Sequence, residues 1–135
     1  MILKRGLIAG AINLILGLLF NQLSGMFFPA LAQEYQNVAI FRPWQDPLMQ
    51  AYFAYPFILG FVLAYFWDIM GKQIKGDSPT DRALQFAKTY FIIAAIPGMF
   101  ITYTSFQLSA LMVAAWTILG FLQAFAAGLV FAKTK

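Results

Sequence analysis

Four stretches of this chain are free of charge, or nearly so, over the length a helix needs to cross a bilayer: residues 6–28, 48–70, 83–103 and 105–131. A helix rises about 1.5 Å per residue, so roughly 20 residues traverse a hydrocarbon core about 30 Å thick. Inside lipid the backbone must satisfy its own hydrogen bonds, which leaves helices and closed barrels as the available forms. Runs of this length call for helices. The expected fold is therefore all-α: an integral membrane protein, a compact bundle of four transmembrane helices in one domain covering residues 1–135.

Composition rules out the ordinary alternatives. With 61% hydrophobic and 10% charged residues the chain has too little charged surface for a water-soluble fold. The net charge of +4 does not point to nucleic acid, because the basic residues never form an extended face interleaved with stacking aromatics. There is no Cys and no His, so no disulfide, no thiolate chemistry and no zinc site built on those ligands is expected, nor any other metal or cofactor.

The charges set the expected orientation. If four helices alternate, Lys4, Arg5, Lys72, Lys75, Arg82, Lys88, Lys133 and Lys135 fall on one side and only Arg42 on the other. Cationic residues concentrate on the cytoplasmic side, which predicts both termini inside and a bacterial inner (cytoplasmic) membrane as the location. Lys4 and Arg5, an apolar run, and Ala30-Leu31-Ala32 before Gln33 imitate a secretory signal. The run from Gly6 to Phe28 is long enough to span, so it is read as a retained helix.

Local signals place the helix ends. Pro29 closes the first helix at 28, and Asp46-Pro47 opens the second, over 48–70, as N-cap and first helical residue. Ser78-Pro79-Thr80-Asp81 reads as a cap for a third helix over 79–103, and Thr104 to Gln107 for a fourth over 105–131. Pro56 and Pro97 are expected to kink the second and third helices.

At about 100° per residue, each helix gathers small residues on one face. On the first these are Gly6, Gly10, Asn13, Gly17, Asn21 and Ser24; on the second, Pro56, Gly60, Ala64, Trp67 and Gly71. The third aligns Ala83, Ala87, Tyr90, Ala94, Gly98 and Ser105, and the fourth Ser109, Trp116, Gly120, Ala124 and Ala127. Small side chains let helices in lipid approach closely, so Gly6, Gly10, Gly17, Gly60, Gly98 and Gly120 are the expected packing positions.

Two polar constellations stand out. Asn13 and Asn21, approached by Thr117 and Gln123, compose a candidate polar site inside the bundle. Its plainer role is interhelical hydrogen bonding worth about 0.6–2 kcal/mol per bond. Arg42, Trp44, Asp46, Tyr52, Tyr103 and Gln107 compose a candidate site at the external rim, where an arginine beside aromatics suits a carboxylate or phosphate. The plainer reading is a capped helix and an aromatic belt. Asp68 stands four residues before Lys72, a spacing that permits an ion pair. Lys72, Lys75, Arg82 and Lys88 are placed to attract anionic lipid.

No serine or threonine has an evident activating base, and no intramembrane carboxylate pair, phosphate-cradling loop or HExxH occurs. The leading expectation is a non-catalytic polytopic membrane protein, an accessory or helix-packing subunit of a homo- or hetero-oligomeric assembly. A small transporter or lipophile-binding protein using the polar stripe of the first helix is the alternative. An enzyme centred on Arg42 and Asp46 is the third and weakest reading.

Overall fold

The computed structural model describes residues 2–134, which are helical with no strand among them. Five elements organise the chain: α1 (Ile2–Phe27), a short α2 (Pro29–Tyr35), α3 (Pro47–Met70), α4 (Pro79–Ser105) and α5 (Ala110–Lys133). Of these, α1, α3, α4 and α5 are long and apolar enough to cross a membrane.

Glycine explains the tightest pairing. A Cβ on Gly60 of α3 would lie 2.6 Å from the Gly6 carbonyl oxygen and 2.7 Å from the Gly10 nitrogen, so the backbones of α1 and α3 meet directly. Gly6 faces Phe61 and Gly10 faces Phe57, which makes the two helices antiparallel. The small-residue faces read from the sequence are buried here: Gly6, Gly10, Asn13 and Gly17 on α1, and Pro56, Gly60, Ala64, Trp67 and Gly71 on α3.

Helix α5 is the hub of the fold. It packs antiparallel to α4, with Gly128 close against Ala83 and the Phe91 and Phe121 rings edge to face at 5.7 Å. It also runs against α1 and touches α3, with Phe131 meeting Trp67 at 5.8 Å and Phe86 at 6.0 Å. The fully buried Phe86 joins α4 to Trp67, and Ala9, Leu63, Ala64, Ala87, Ala124 and Ala127 complete the core of this half.

The two chain ends meet: the Arg5 guanidinium donates to the Thr134 carbonyl at 2.7 Å, as an even number of alternating helices requires. At the same end Arg82 closes α3. It donates to the Gly71 carbonyl at 2.8 Å and lies over the Trp67 ring at 4.8 Å, so its charge serves the unsatisfied carbonyls of a helix C-terminus.

The opposite half is looser than a compact bundle. No residue from Ile96 to Ser105 of α4 is buried. A π segment, Phe91–Ala95, precedes Pro97, and the Ile96 N–H reaches back to the Phe91 carbonyl. The widened turn accommodates the hydrogen bond that proline lacks. In α3 a tighter 3-10 turn, Ala51–Ala54, precedes Pro56, which sits in the first turn of the α-helical segment Tyr55–Met70, where its missing N–H costs little.

Two caps agree with the sequence reading: the Asp46 carboxylate accepts from the Leu48 N–H at 2.9 Å, and the Ser78 hydroxyl from the Asp81 N–H at 3.1 Å. The fourth helix differs. Its N-cap is Ser109, which accepts from the Met112 N–H at 3.1 Å, while Ser105 still belongs to α4. Thr104 hydrogen-bonds back to the Phe100 and Ile101 carbonyls and so prolongs α4 instead of capping α5. Pro29 likewise starts α2 as well as following α1.

Candidate functional site

The polar stripe of α1 divides into two separate places. Asn13 is fully buried, and neither its Oδ1 nor its Nδ2 has a hydrogen-bond partner among the described residues. Gln123 comes to it from α5 but donates to the Asn13 backbone carbonyl, at 3.3 Å, rather than to its side chain. The Gln123 amide lies where a Cβ on Gly17 would be 3.4 Å away, so the glycine makes room for it. Thr117 does not join this pair. Six residues before Gln123, it points about 240° around the helix and bonds to its own Val113 carbonyl at 2.7 Å. It lines instead a shallow apolar groove of about 470 Å³ with Phe91, Ile118 and Phe121.

Asn21 belongs to the other end. Its Nδ2 donates to the Tyr52 hydroxyl at 3.4 Å, and its side chain lines a partly enclosed recess of about 210 Å³ with Gly25, Leu31, Tyr35, Trp44 and Ala115. This recess exists because α2 folds back over the end of the molecule. Leu31 is buried with Leu108, Met112 and Val113, and the Glu34 carboxylate accepts from both the Ser109 N–H, at 2.9 Å, and its hydroxyl, at 2.5 Å. The Trp116 indole N–H donates to the Tyr35 hydroxyl at 2.5 Å, and Phe41 packs on both rings. Burial pushes the Tyr35 phenol above its ordinary pKa, with the Trp116 hydrogen bond pulling the other way.

The rim constellation resolves into a cap and an aromatic cluster. Arg42 pairs with Asp46 at 2.9 Å in the one salt bridge among the described residues, and its side chain is 58% exposed. The Leu48 amide, then the Arg42 side chain, hold the Asp46 carboxyl below its ordinary range. Trp44 stacks on Phe53 at 5.7 Å and meets Tyr52 edge-on at 6.0 Å. Tyr103 and Gln107 are exposed, and neither makes a side-chain hydrogen bond to Arg42, Trp44, Asp46 or Tyr52. The Asp46 carboxylate thus both caps α3 and holds the exposed Arg42 guanidinium.

Of the expected packing glycines, Gly98 and Gly120 differ. A Cβ on either would meet nothing within 4 Å, whereas Gly128, outside that set, is tightly packed. Asp68 and Lys72 are both exposed and make no ion pair. Lys72, Lys75 and Lys88 are exposed, while Arg82 is engaged with α3. Among the described residues no group of three or more Asp or Glu side chains forms a metal site.

Comparison with protein-family profiles, curated proteins and solved structures returns no match. The site itself therefore carries the functional argument.

Proposed function

We propose that this chain is a non-catalytic, multi-pass membrane protein that acts as a helix-packing subunit of a larger membrane assembly, formed with itself or with another membrane protein. In this reading both termini are cytoplasmic, the membrane is a bacterial inner membrane, and Lys72, Lys75 and Lys88 meet anionic lipid headgroups.

The observation that supports it is the outer half of α4. No residue from Ile96 to Ser105 is fully buried within the chain; Ala94 in the preceding π segment is exposed, and Gly98 stands open beside the exposed Ile93, Phe100 and Ile101. Lipid covers isoleucine and phenylalanine at no cost, but a small-residue notch gains nothing from lipid and much from a close-packed neighbouring helix. The threonine hydroxyls there are satisfied locally, Thr102 on the Gly98 carbonyl at 2.7 Å and Thr104 on the Phe100 carbonyl at 3.1 Å, which leaves the face around Gly98 suited to dry packing. A transporter built on Asn13 has less behind it, since the Asn13 amide atoms are sealed from any path.

Native mass spectrometry with lipids retained tests the proposal. Assembly with copies or a co-purifying membrane protein is expected, and Gly98→Leu, whose Cβ would meet nothing within 4 Å in the monomer, should disperse it. A wild-type protein that stays monomeric and alone under these conditions would refute the reading.

A further inference from the structure

The recess beneath α2 has the features of a ligand site. Its space comes from small residues on three separate elements: Ser24 and Gly25 on α1, Ala32 on α2 and Ala115 on α5, roofed by Tyr35 and Trp44. A cavity of roughly 150 Å³ lined by aliphatic and aromatic groups holds a benzene molecule. At about 210 Å³ this one has room for a substituted ring or a short branched chain.

Its walls also retain hydrogen-bonding capacity. The Tyr35 oxygen accepts from Trp116, and its own O–H has no acceptor among the described residues. The Asn21 amide makes a single long hydrogen bond through Nδ2, which leaves its Oδ1 free. Ser24 is occupied with the Phe20 carbonyl and contributes only its small size. A phenol that is already an acceptor has one thing left to offer, a proton for a ligand oxygen. Burial keeps that proton in place through the physiological range.

We propose that this recess binds an apolar group carrying a carbonyl oxygen, with Tyr35 donating to that oxygen and Leu31, Trp44 and Ala115 enclosing the hydrocarbon. The carbonyl belongs either to a free lipophile, such as a quinone ring, or to the acyl ester of a bilayer lipid. This site is distinct from the Asn13–Gln123 pair and does not depend on the subunit reading.

The test uses the full chain in nanodiscs and the fluorescence of its tryptophans. Trp44 lines the recess and Trp116 is bonded to its wall, while Trp67 lies in the core at the other end. Titration with a short-chain benzoquinone should quench saturably in a Trp67→Phe protein. Ala115→Phe or Gly25→Leu, filling the recess from opposite walls, should each weaken the apparent affinity at least about tenfold. Either variant suffices if it folds. If the lipid ester is the occupant, the quinone arm is silent, and ester phospholipid brominated near its carbonyl quenches saturably while its ether analogue does not. Quenching that stays linear with every probe, or is unchanged in the filled variants, overturns the proposal.

Discussion

Replacing Gly60 by alanine is the sharpest probe of how α1 and α3 are held together. The new methyl would stand 2.6 Å from the Gly6 carbonyl oxygen, 2.7 Å from the Gly10 nitrogen and 3.0 Å from the Gly10 Cα. All three are backbone atoms, which no rotamer change can move. Ordinary contact begins near 3.4 Å, so the helices must part by about 0.8 Å. A gap of about 0.5–1 Å forfeits a quarter to a half of the dispersion energy of the contacts it opens. Overpacking of this kind costs about 1–3 kcal/mol, offset by the roughly 0.5–1 kcal/mol that alanine gains over glycine within a helix. A net loss of about 1–2 kcal/mol is expected.

Gly10→Ala should cost less, because part of its obstruction is the Phe57 ring, and Gly6→Ala less again, because only the mobile Phe61 ring opposes it. Gly120→Ala, which meets nothing within 4 Å, should stabilise by the propensity term alone. The assay is thermal unfolding in a mild detergent followed by circular dichroism. A Gly60→Ala protein that melts with the wild type, or a Gly120→Ala protein that melts below Gly60→Ala, would refute the reasoning.

Asn13→Leu keeps the branched shape and removes a buried amide that has no partner, so unfolding should shift upward by about 1 kcal/mol; a clear downward shift would mean that the amide is bonded in the membrane. Glu34→Ala should free the Ser109 cap and raise amide hydrogen exchange in the first turn of α5 while leaving Phe86 and its neighbours protected, and unchanged exchange there would contradict the bridge. Asp46 has a lowered pKa in the folded protein, so its cap is fully present above the ordinary aspartate range and fades as pH falls through the lowered value. Exchange at Leu48 should therefore rise in strong acid in the wild type and stay flat in Asp46→Asn, whose amide oxygen caps without titrating.

What could be read from the sequence was local. The Asp46 and Ser78 caps depend on three or four consecutive residues, and the glycine faces of α1 and α3 depend on helical periodicity over uninterrupted segments. Periodicity failed where the helix itself changes pitch: beyond the π segment Phe91–Ala95, residues placed in line with Ala83 and Ala87 rotate outward, which is why Gly98 is open. Thr104, Ser105 and Ser109 are all competent caps, and the choice among them falls to Glu34, 75 residues away, which anchors Ser109. A separation of 81 residues likewise hides the Tyr35–Trp116 link and with it the recess, since nothing in Pro29–Tyr35 beyond its helix-favouring composition announces where it docks. Arg82 looked like a border charge, and only the fold brings Trp67 and the end of α3 beneath it.

Because α5 supplies the common surface for α1, α3 and α4 and follows all three in the chain, synthesis leaves the structure without its keystone until α5 emerges. The glycine-paired α1 and α3 can dock early, but Phe86 and the Trp67 indole have to wait for Phe131 near the end of α5. Nascent chains stalled or clipped before α5 therefore present an unfilled aromatic seat, a ready mark for membrane proteases, and the Arg5–Thr134 clasp can form only once that seat is filled.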